Sequence, residues 1–132
     1  MATRALYCFA GFPGQPDRHL VLHHDGYPTG AAWRFKATLQ ECAQLRQFPS
    51  SFRCSQPGGV SLSSPDQAAD AEYRYRVEYI CGPCPQLQVQ AWRRVPESRS
   101  WMPRTEPMPI DSFIARFLPD TIQPDPRRNC SR

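Results

Sequence analysis

Two stretches of the chain alternate between apolar and polar residues, and this period of two predicts half-buried β-strands. In residues 72–81 and 86–95, tyrosine, valine and leucine lie on one face, while charged and amide side chains make up most of the other. Two apolar runs, residues 4–10 and 18–24, predict a further pair of strands. Turn-forming Pro, Gly and Asp residues separate the members of each pair, so we expect two β-hairpins.

Apolar residues with a period of 3.6 predict a main helix over residues 30–48, with Thr29 as its N-cap and Pro49 at its end. A shorter pattern of the same kind predicts a C-terminal helix over residues 112–118, capped by Asp111.

The order of these elements is β-β-α-β-β-α, which indicates an α+β domain. We expect an antiparallel sheet of two β-hairpins, about four strands in all, packed against one main helix and a short C-terminal helix on one side. The domain is predicted to span residues 1–119, with a long loop rich in Ser, Pro and Gly at residues 49–71. A flexible tail is predicted at residues 120–132.

The chain has 132 residues, 15 prolines and a net charge of +4, and Lys36 is its only lysine. Its arginines are dispersed, a pattern that favours nucleic-acid binding only modestly. The first ten residues predict a strand rather than a signal peptide, and no apolar run reaches the length of a membrane span. We therefore expect a cytoplasmic protein with no membrane association, whose six cysteines are reduced.

Polar and titratable side chains gather where the second predicted strand ends, at His23, His24, Asp25, Gly26 and Pro28. A histidine and a carboxylate can act together as a general base, as a small hydrolase would require. However, adjacent strand residues point to opposite faces, so the two histidines do not readily bind one metal ion. The sequence shows no nucleophile elbow and no phosphate-binding glycine loop. We therefore expect a turn closed by Asp25 and no enzyme activity, with a hydrolase centred on these residues as an alternative.

Residues 24–32, with the sequence His-Asp-Gly-Tyr-Pro-Thr-Gly-Ala-Ala, are similar to a segment found in a scattered group of small bacterial and phage-borne proteins. That group shares an H-x-D-G-Y-P-x-G-like segment between a short hairpin and a helix, and His23 is the histidine two positions before Asp25. The resemblance covers residues 18–45. It implies a protein encoded by a phage or other mobile element that inhibits or modulates a host protein complex, such as a defence system.

Cys81 and Cys84 form a C-x-x-C pair, the spacing of thioredoxin active sites. That chemistry requires a helix N-terminus, whereas this pair is expected at the tip of a hairpin. The same spacing suits half of a zinc site, to which Cys42, Cys54 or a histidine would add ligands. Because Cys42 and Cys54 lack this spacing, we expect no metal and no other cofactor, with zinc as the alternative.

Exposed aromatic side chains next to arginines are typical of macromolecular interfaces. We predict a partner-binding surface that combines the turn, the outer side of the main helix and the solvent face of the second hairpin. Its residues are Tyr27, Trp33, Arg74, Arg76, Trp92 and Arg94. The predicted function is that of a small accessory protein that binds a host or phage protein complex. Nucleic acid, held by the arginine and aromatic side chains, is the alternative partner.

Overall fold

The computed structural model describes residues 3–56, 58–67 and 70–118, so the predicted tail at residues 120–132 lies outside the described residues. The strands are β1 (Ala5–Ala10), β2 (Arg18–Leu22), β3 (Val60–Leu62), β4 (Tyr73–Ile80), β5 (Gln86–Arg94), β6 (Trp101–Pro103) and β7 (Met108–Pro109). The α-helices are α1 (Pro28–Glu41), α2 (Phe48–Ser55) and α3 (Ile110–Phe117). Within the described ranges, no helix is both long enough and apolar enough to cross a bilayer.

The strands form one mixed sheet in the order β3-β2-β1-β4-β5-β6, and β7 pairs with β5. The pairs β1/β2 and β4/β5 are antiparallel, as the sequence predicts for its two hairpins. The hairpins join through parallel pairing of β1 with β4, so the prediction of an antiparallel sheet of about four strands is wrong. A crossover that contains α1 and α2 separates the hairpins, and a connection of that length permits parallel pairing.

Three short strands extend the sheet beyond the two predicted hairpins. β3 is an edge strand on β2, and it lies in the region that the sequence predicts as a long loop. β6 and β7 both pair with β5, in a Pro-rich segment without alternation. Strands of two or three residues carry too few side chains for a period of two to be recognised, and their backbone bonds to a neighbouring strand hold them in place.

The helix boundaries differ from the sequence expectation because prolines begin helices here. α1 starts at Pro28 with Tyr27 as its N-cap residue, so Thr29 lies inside the helix. α1 ends at Glu41, and Pro49 lies in the first turn of α2, within the predicted loop. A proline is well placed in a first turn, because the backbone N–H that it lacks would have no partner there. Asp111 lies in the first turn of α3, after the N-cap residue Pro109.

The helices cover one face of the sheet, where an aromatic cluster forms the main core. Its largest fully buried side chains include Tyr7, Phe35, Phe48, Phe52, Tyr75 and Phe113. Burial of each such ring contributes roughly 1.5–3 kcal/mol, so this face is the main source of stability. A smaller cluster on the opposite face contains Leu6, Cys8, Val21 and Ala71, with Leu62 and Trp101 packed against it. The structure confirms the prediction of an α+β fold whose helices lie on one side of the sheet.

Candidate functional site

The polar turn between β2 and α1 is held by close backbone approaches. Asp25 has a φ of 53°, a left-handed conformation that aspartate tolerates better than most residues. A Cβ atom on Gly26 would lie 2.7 Å from the carbonyl oxygen of Thr3, and one on Gly30 would collide with the carbonyl oxygen of Asp25. The turn packs so closely against β1 and against the first turn of α1 that neither position has room for a Cβ atom. Both positions therefore require glycine.

Arg34 of α1 binds the same turn from the inside. Its side chain is 8% exposed, and its two terminal nitrogens donate to the carbonyl oxygens of His24 and Asp25, each at 2.7 Å. Its Nε donates to Oε1 of Gln56 at 3.2 Å, and Nη1 also donates to the hydroxyl of Tyr7 at 3.3 Å. A planar guanidinium can satisfy several carbonyl groups at once, which a lysine ammonium cannot do with the same geometry.

Two buried tyrosines complete this arrangement. The hydroxyl of Tyr75 donates to the carbonyl oxygen of Gly26 at 2.6 Å. Burial raises the pKa of Tyr7 to about 12, although the nearby Arg34 guanidinium acts in the opposite direction. Burial also raises the pKa of Tyr75, and both phenols are therefore protonated and able to donate at neutral pH.

The titratable side chains of the turn take no part in this network. His23 is half-buried, and His24 and Asp25 are exposed. Within the residues that the structure describes, His24 and Asp25 accept the hydrogen bonds of Arg34 through their backbone carbonyl oxygens and not through their side chains. The arrangement explains the polar motif by folding requirements, and it offers no support for the alternative of a hydrolase centred on these residues.

The turn presents Tyr27 at the end of the sheet nearest the start of β4. The Tyr27 ring packs edge-on against the Tyr73 ring, with the ring centroids 5.6 Å apart. Arg93 pairs with Tyr73 across β4 and β5, and its guanidinium lies 5.9 Å from the centre of the Tyr73 ring. Met102 of β6 pairs with Arg93 on the other side. Because paired residues share one face of a sheet, the exposed side chains of Tyr27, Arg93 and Met102 surround the Tyr73 ring, which is itself buried. We call these four residues the Tyr27 patch.

Comparisons with known proteins add no assignment. The chain matches no family model, no curated protein and no solved structure. The similarity of the turn to small phage-borne proteins therefore stays a hypothesis, and the geometry of the Tyr27 patch carries the functional argument.

Four of the six predicted contact residues lie on the face of the sheet opposite the helices. We call this the open face, and its principal side chains are Arg74, Arg76, Trp92, Arg94 and Trp101. The Arg74 guanidinium lies 5.3 Å from the centre of the Trp92 ring, and that of Arg94 lies 4.3 Å from the Trp101 ring.

The arginines of the open face are engaged within the molecule. Arg76 forms a salt bridge with Glu78, with the charged atoms 3.3 Å apart. Arg94 donates from Nε to the carbonyl oxygen of Ala71 at 2.7 Å and so ties the segment before β4 to β5. These contacts explain why the side chains are half-buried.

The structure does not bring the six predicted residues into one surface. Tyr27 and Trp33 belong to the side that carries the helices, and Trp33 lies on α1 with 62% of its surface exposed. Arg74, Arg76 and the rest of the open face lie behind the sheet. The alternation of β4 explains this separation, because Tyr73 and Arg74 point to opposite faces.

The cysteines do not assemble around a metal ion within the described part of the chain, where no group of three possible ligands forms. Cys81 is a free, exposed thiol, whereas Cys84 is disulfide-bonded, so the expectation that all cysteines are reduced is wrong at Cys84. Cys42 is buried in the core beside α1, and Cys54 is exposed on α2.

One cysteine–histidine pair was not anticipated from the sequence. The Sγ atom of Cys8 and the Nδ1 atom of His19 lie 3.2 Å apart on neighbouring strands of the open face. Burial raises the pKa of Cys8, which is 3% exposed, and burial lowers the pKa of His19. Both groups are therefore favoured in their neutral forms, which does not produce the thiolate that a nucleophilic cysteine needs.

Sequence reasoning also missed Arg34, Arg93 and Met102. Arg34 is separated by three and four residues from buried Ala31 and Thr38, so its position on the apolar stripe was a usable signal. Arg93 and Met102 gave no such signal, because their proximity depends on the pairing of β5 with the unpredicted strand β6.

Proposed function

We propose that this protein is a protein-binding module and that the Tyr27 patch is its contact surface. The observation that supports this most directly is the grouping of three exposed side chains around the buried Tyr73 ring. Tyr27 and Met102 are each 54% exposed, and they flank Arg93, whose guanidinium is stacked on Tyr73. Single exposed apolar residues are ordinary on protein surfaces, whereas a connected group of tyrosine, methionine and arginine has the composition of an interface centre.

The tyrosine side of the patch is held in place before a partner binds, which favours binding. The backbone of the turn before Tyr27 is held by Arg34 and Tyr75, and the Tyr27 ring already rests on Tyr73. A side chain that is ordered before binding loses less conformational entropy when a partner covers it. Met102 adds a flexible apolar side chain that can adapt to the shape of a partner.

The test is affinity purification of the tagged full chain from its own host, with the recovered proteins quantified by mass spectrometry. We compare the native chain with a Tyr27→Ala/Met102→Ala double variant. Recovery of the specific partner should fall at least tenfold, since interface centres are where truncations cost about 2 kcal/mol or more each.

Two control variants make this experiment specific to the patch. Val60→Ala removes an exposed apolar side chain at the opposite edge of the sheet and should leave recovery unchanged. Trp33→Ala removes the most exposed aromatic side chain of α1. If Trp33→Ala abolishes recovery while the double variant retains it, the contact surface is α1 and the patch is not the binding site.

The identity of the partner is proposed from the sequence resemblance alone. On that basis the partner is a host protein complex in the cytoplasm, such as a defence system, and the protein is encoded by a phage or other mobile element. The purification experiment identifies the partner.

A second candidate is nucleic-acid binding by the open face, favoured by the placement of three arginines and two tryptophans there. Fluorescence anisotropy with short single-stranded RNA and DNA oligonucleotides at low and high salt tests it. Binding should weaken steeply with salt, and Arg76→Gln should reduce the salt dependence while Arg99→Gln should not. Binding that is absent, or that salt does not affect, would exclude this function.

A further inference from the structure

A cavity of about 260 Å³ opens at the end of the sheet remote from the Tyr27 patch. It lies between α2 and the edge of the sheet formed by β2 and β3, close to where β2 begins. For scale, a closed apolar cavity of about 150 Å³ accommodates a benzene ring. The cavity therefore has room for a ring or a short chain together with a small polar group.

The inner wall of the cavity is apolar. Phe9 and Leu20 line it, and both belong to the main core with less than 5% of their surface exposed. Pro49 in the first turn of α2 is a further buried lining residue on this side of the sheet. A ligand that reaches this wall gains roughly 25 cal/mol for each Å² of apolar surface removed from water.

The rim of the cavity carries an excess of positive charge. Arg18 and Arg53 line it from β2 and α2, and Asp17 supplies one negative charge. His19 also lines the cavity, but its imidazole lies on the open face beside Cys8. Among the described residues, neither arginine has a carboxylate within salt-bridge distance, since the ion pairs found there are Arg4–Asp70 and Arg76–Glu78.

We propose that this cavity binds a small amphipathic anion, in which a carboxylate or phosphate group is attached to an apolar ring or short chain. Arg18 and Arg53 bind the anionic group, because guanidinium forks match the geometry of carboxylate and phosphate oxygens. Phe9 and Leu20 contact the apolar part. The site lies away from the Tyr27 patch, so it is independent of the protein-binding function proposed above.

The test is a titration followed by NMR amide shifts, with phenyl phosphate and benzoate as probes. Saturable shifts are expected at Leu20, Ser61 and Leu62, and the tighter of the two probes identifies the preferred anionic group. Inorganic phosphate and benzyl alcohol, which each carry half of the required chemistry, should bind at least tenfold more weakly, because loss of a charge-assisted hydrogen bond alone has an effect of this size.

Matched variants test the role of the arginines. Arg53→Gln alters an exposed side chain, so the fold should be retained and phenyl phosphate should bind at least tenfold more weakly. Arg99→Gln removes an equal charge from the loop after β5 and should leave binding unchanged. The proposal is overturned if neither probe gives saturable shifts at millimolar concentration. Equal binding of benzyl alcohol, or full affinity in an Arg18→Gln/Arg53→Gln double variant, would also overturn it.

Discussion

The guanidinium of Arg34 donates to the backbone carbonyl oxygen of Asp25 at 2.7 Å, from a side chain that is almost completely buried. This contact joins the middle of α1 to the turn that precedes the helix. It explains why a motif rich in titratable residues is stable without using its own side chains. Among the described residues, Arg34 holds the turn through the backbone carbonyl oxygens of His24 and Asp25 and not through their side chains. The backbone of the turn therefore sets the position of Tyr27.

Gly30 provides a test of the turn geometry, because replacing it by alanine is expected to lower the stability of the protein rather than raise it. Replacing a glycine inside a helix by alanine normally stabilises a protein by about 0.5–1 kcal/mol. Here the new Cβ would collide with the carbonyl oxygen of Asp25, a backbone atom that cannot move aside without disturbing the turn. We expect Gly30→Ala to lower the free energy of unfolding by about 2 kcal/mol or more in urea denaturation.

Gly82 is the matched control for this substitution. It lies in the exposed turn between β4 and β5, and a Cβ at this position would meet no heavy atom within 4 Å. Gly82→Ala should change the free energy of unfolding by less than about 0.5 kcal/mol. A Gly30→Ala variant as stable as Gly82→Ala would show that the turn does not approach α1 as closely as described.

Tyr75 donates a buried hydrogen bond to the carbonyl oxygen of Gly26. Tyr75→Phe keeps the ring and removes the hydroxyl, which leaves that carbonyl group without this donor. The expected loss is about 1–2 kcal/mol in the free energy of unfolding. Tyr27→Phe removes a hydroxyl from an exposed ring and should change stability by only a few tenths of a kcal/mol. Equal stabilities of the two variants would argue against the bond to Gly26.

The buried phenols predict a loss of stability at alkaline pH. Burial raises the pKa of Tyr7 to about 12, and it also raises the pKa of Tyr75. Unfolded tyrosine ionises near pH 10, so above that pH the unfolded chain loses protons that the folded chain keeps. The stabilisation is complete below about pH 10 and falls by about 1.4 kcal/mol per pH unit for each phenol between pH 10 and the folded-state pKa of that phenol, which is about 12 for Tyr7.

Urea unfolding at pH 9 and pH 11 measures this effect. The free energy of unfolding should be lower at pH 11 by about 1 kcal/mol or more for each phenol. The raised pKa of Cys8 acts in the same direction. Tyr75→Phe removes one of the contributions, so its stability should fall less steeply between the two values. Identical stabilities of the native chain at both pH values would contradict the protonation states assigned here.

Arg94 shows why the open face is difficult to test by simple truncation. Its side chain bonds to the carbonyl oxygen of Ala71 and stacks on Trp101. Arg94→Ala is therefore expected to lower the free energy of unfolding by about 1–2 kcal/mol, which thermal denaturation will detect. Arg99→Ala, at an exposed loop position, is the control and should be neutral. An Arg94→Ala variant as stable as the native chain would contradict a stabilising role for the bond to Ala71.

The fold was predictable from sequence where side-chain periodicity is strong. The long strands β4 and β5 alternate over eight or more residues, and each was located to within a residue. The parallel pairing of β1 with β4 was not predictable, because pairing partners depend on the path of the crossover rather than on either strand. The sequence pattern predicts a helix end at Pro49, although the same residue suits the first turn of the next helix.

The candidate site was only partly predictable for the same reason. Tyr27 was recognised because it follows a dense turn, and the structure places it in the patch. Arg93 and Met102 become neighbours only through the pairing of β5 with β6, for which the Pro-rich sequence provides no signal. The sequence grouped Arg74 with Tyr27, but the pleat of β4 sends the side chains of Tyr73 and Arg74 to opposite faces.

The central claim is that the polar turn is a folding element held by Arg34, and the direct measurement is urea unfolding of Arg34→Met beside His24→Ala. Arg34→Met leaves the carbonyl groups of His24 and Asp25 without their buried donor, so we expect a loss of about 2 kcal/mol or more. His24→Ala keeps its backbone carbonyl and should change stability by less than about 0.5 kcal/mol. A neutral Arg34→Met, or an equally large loss in His24→Ala, would contradict the claim.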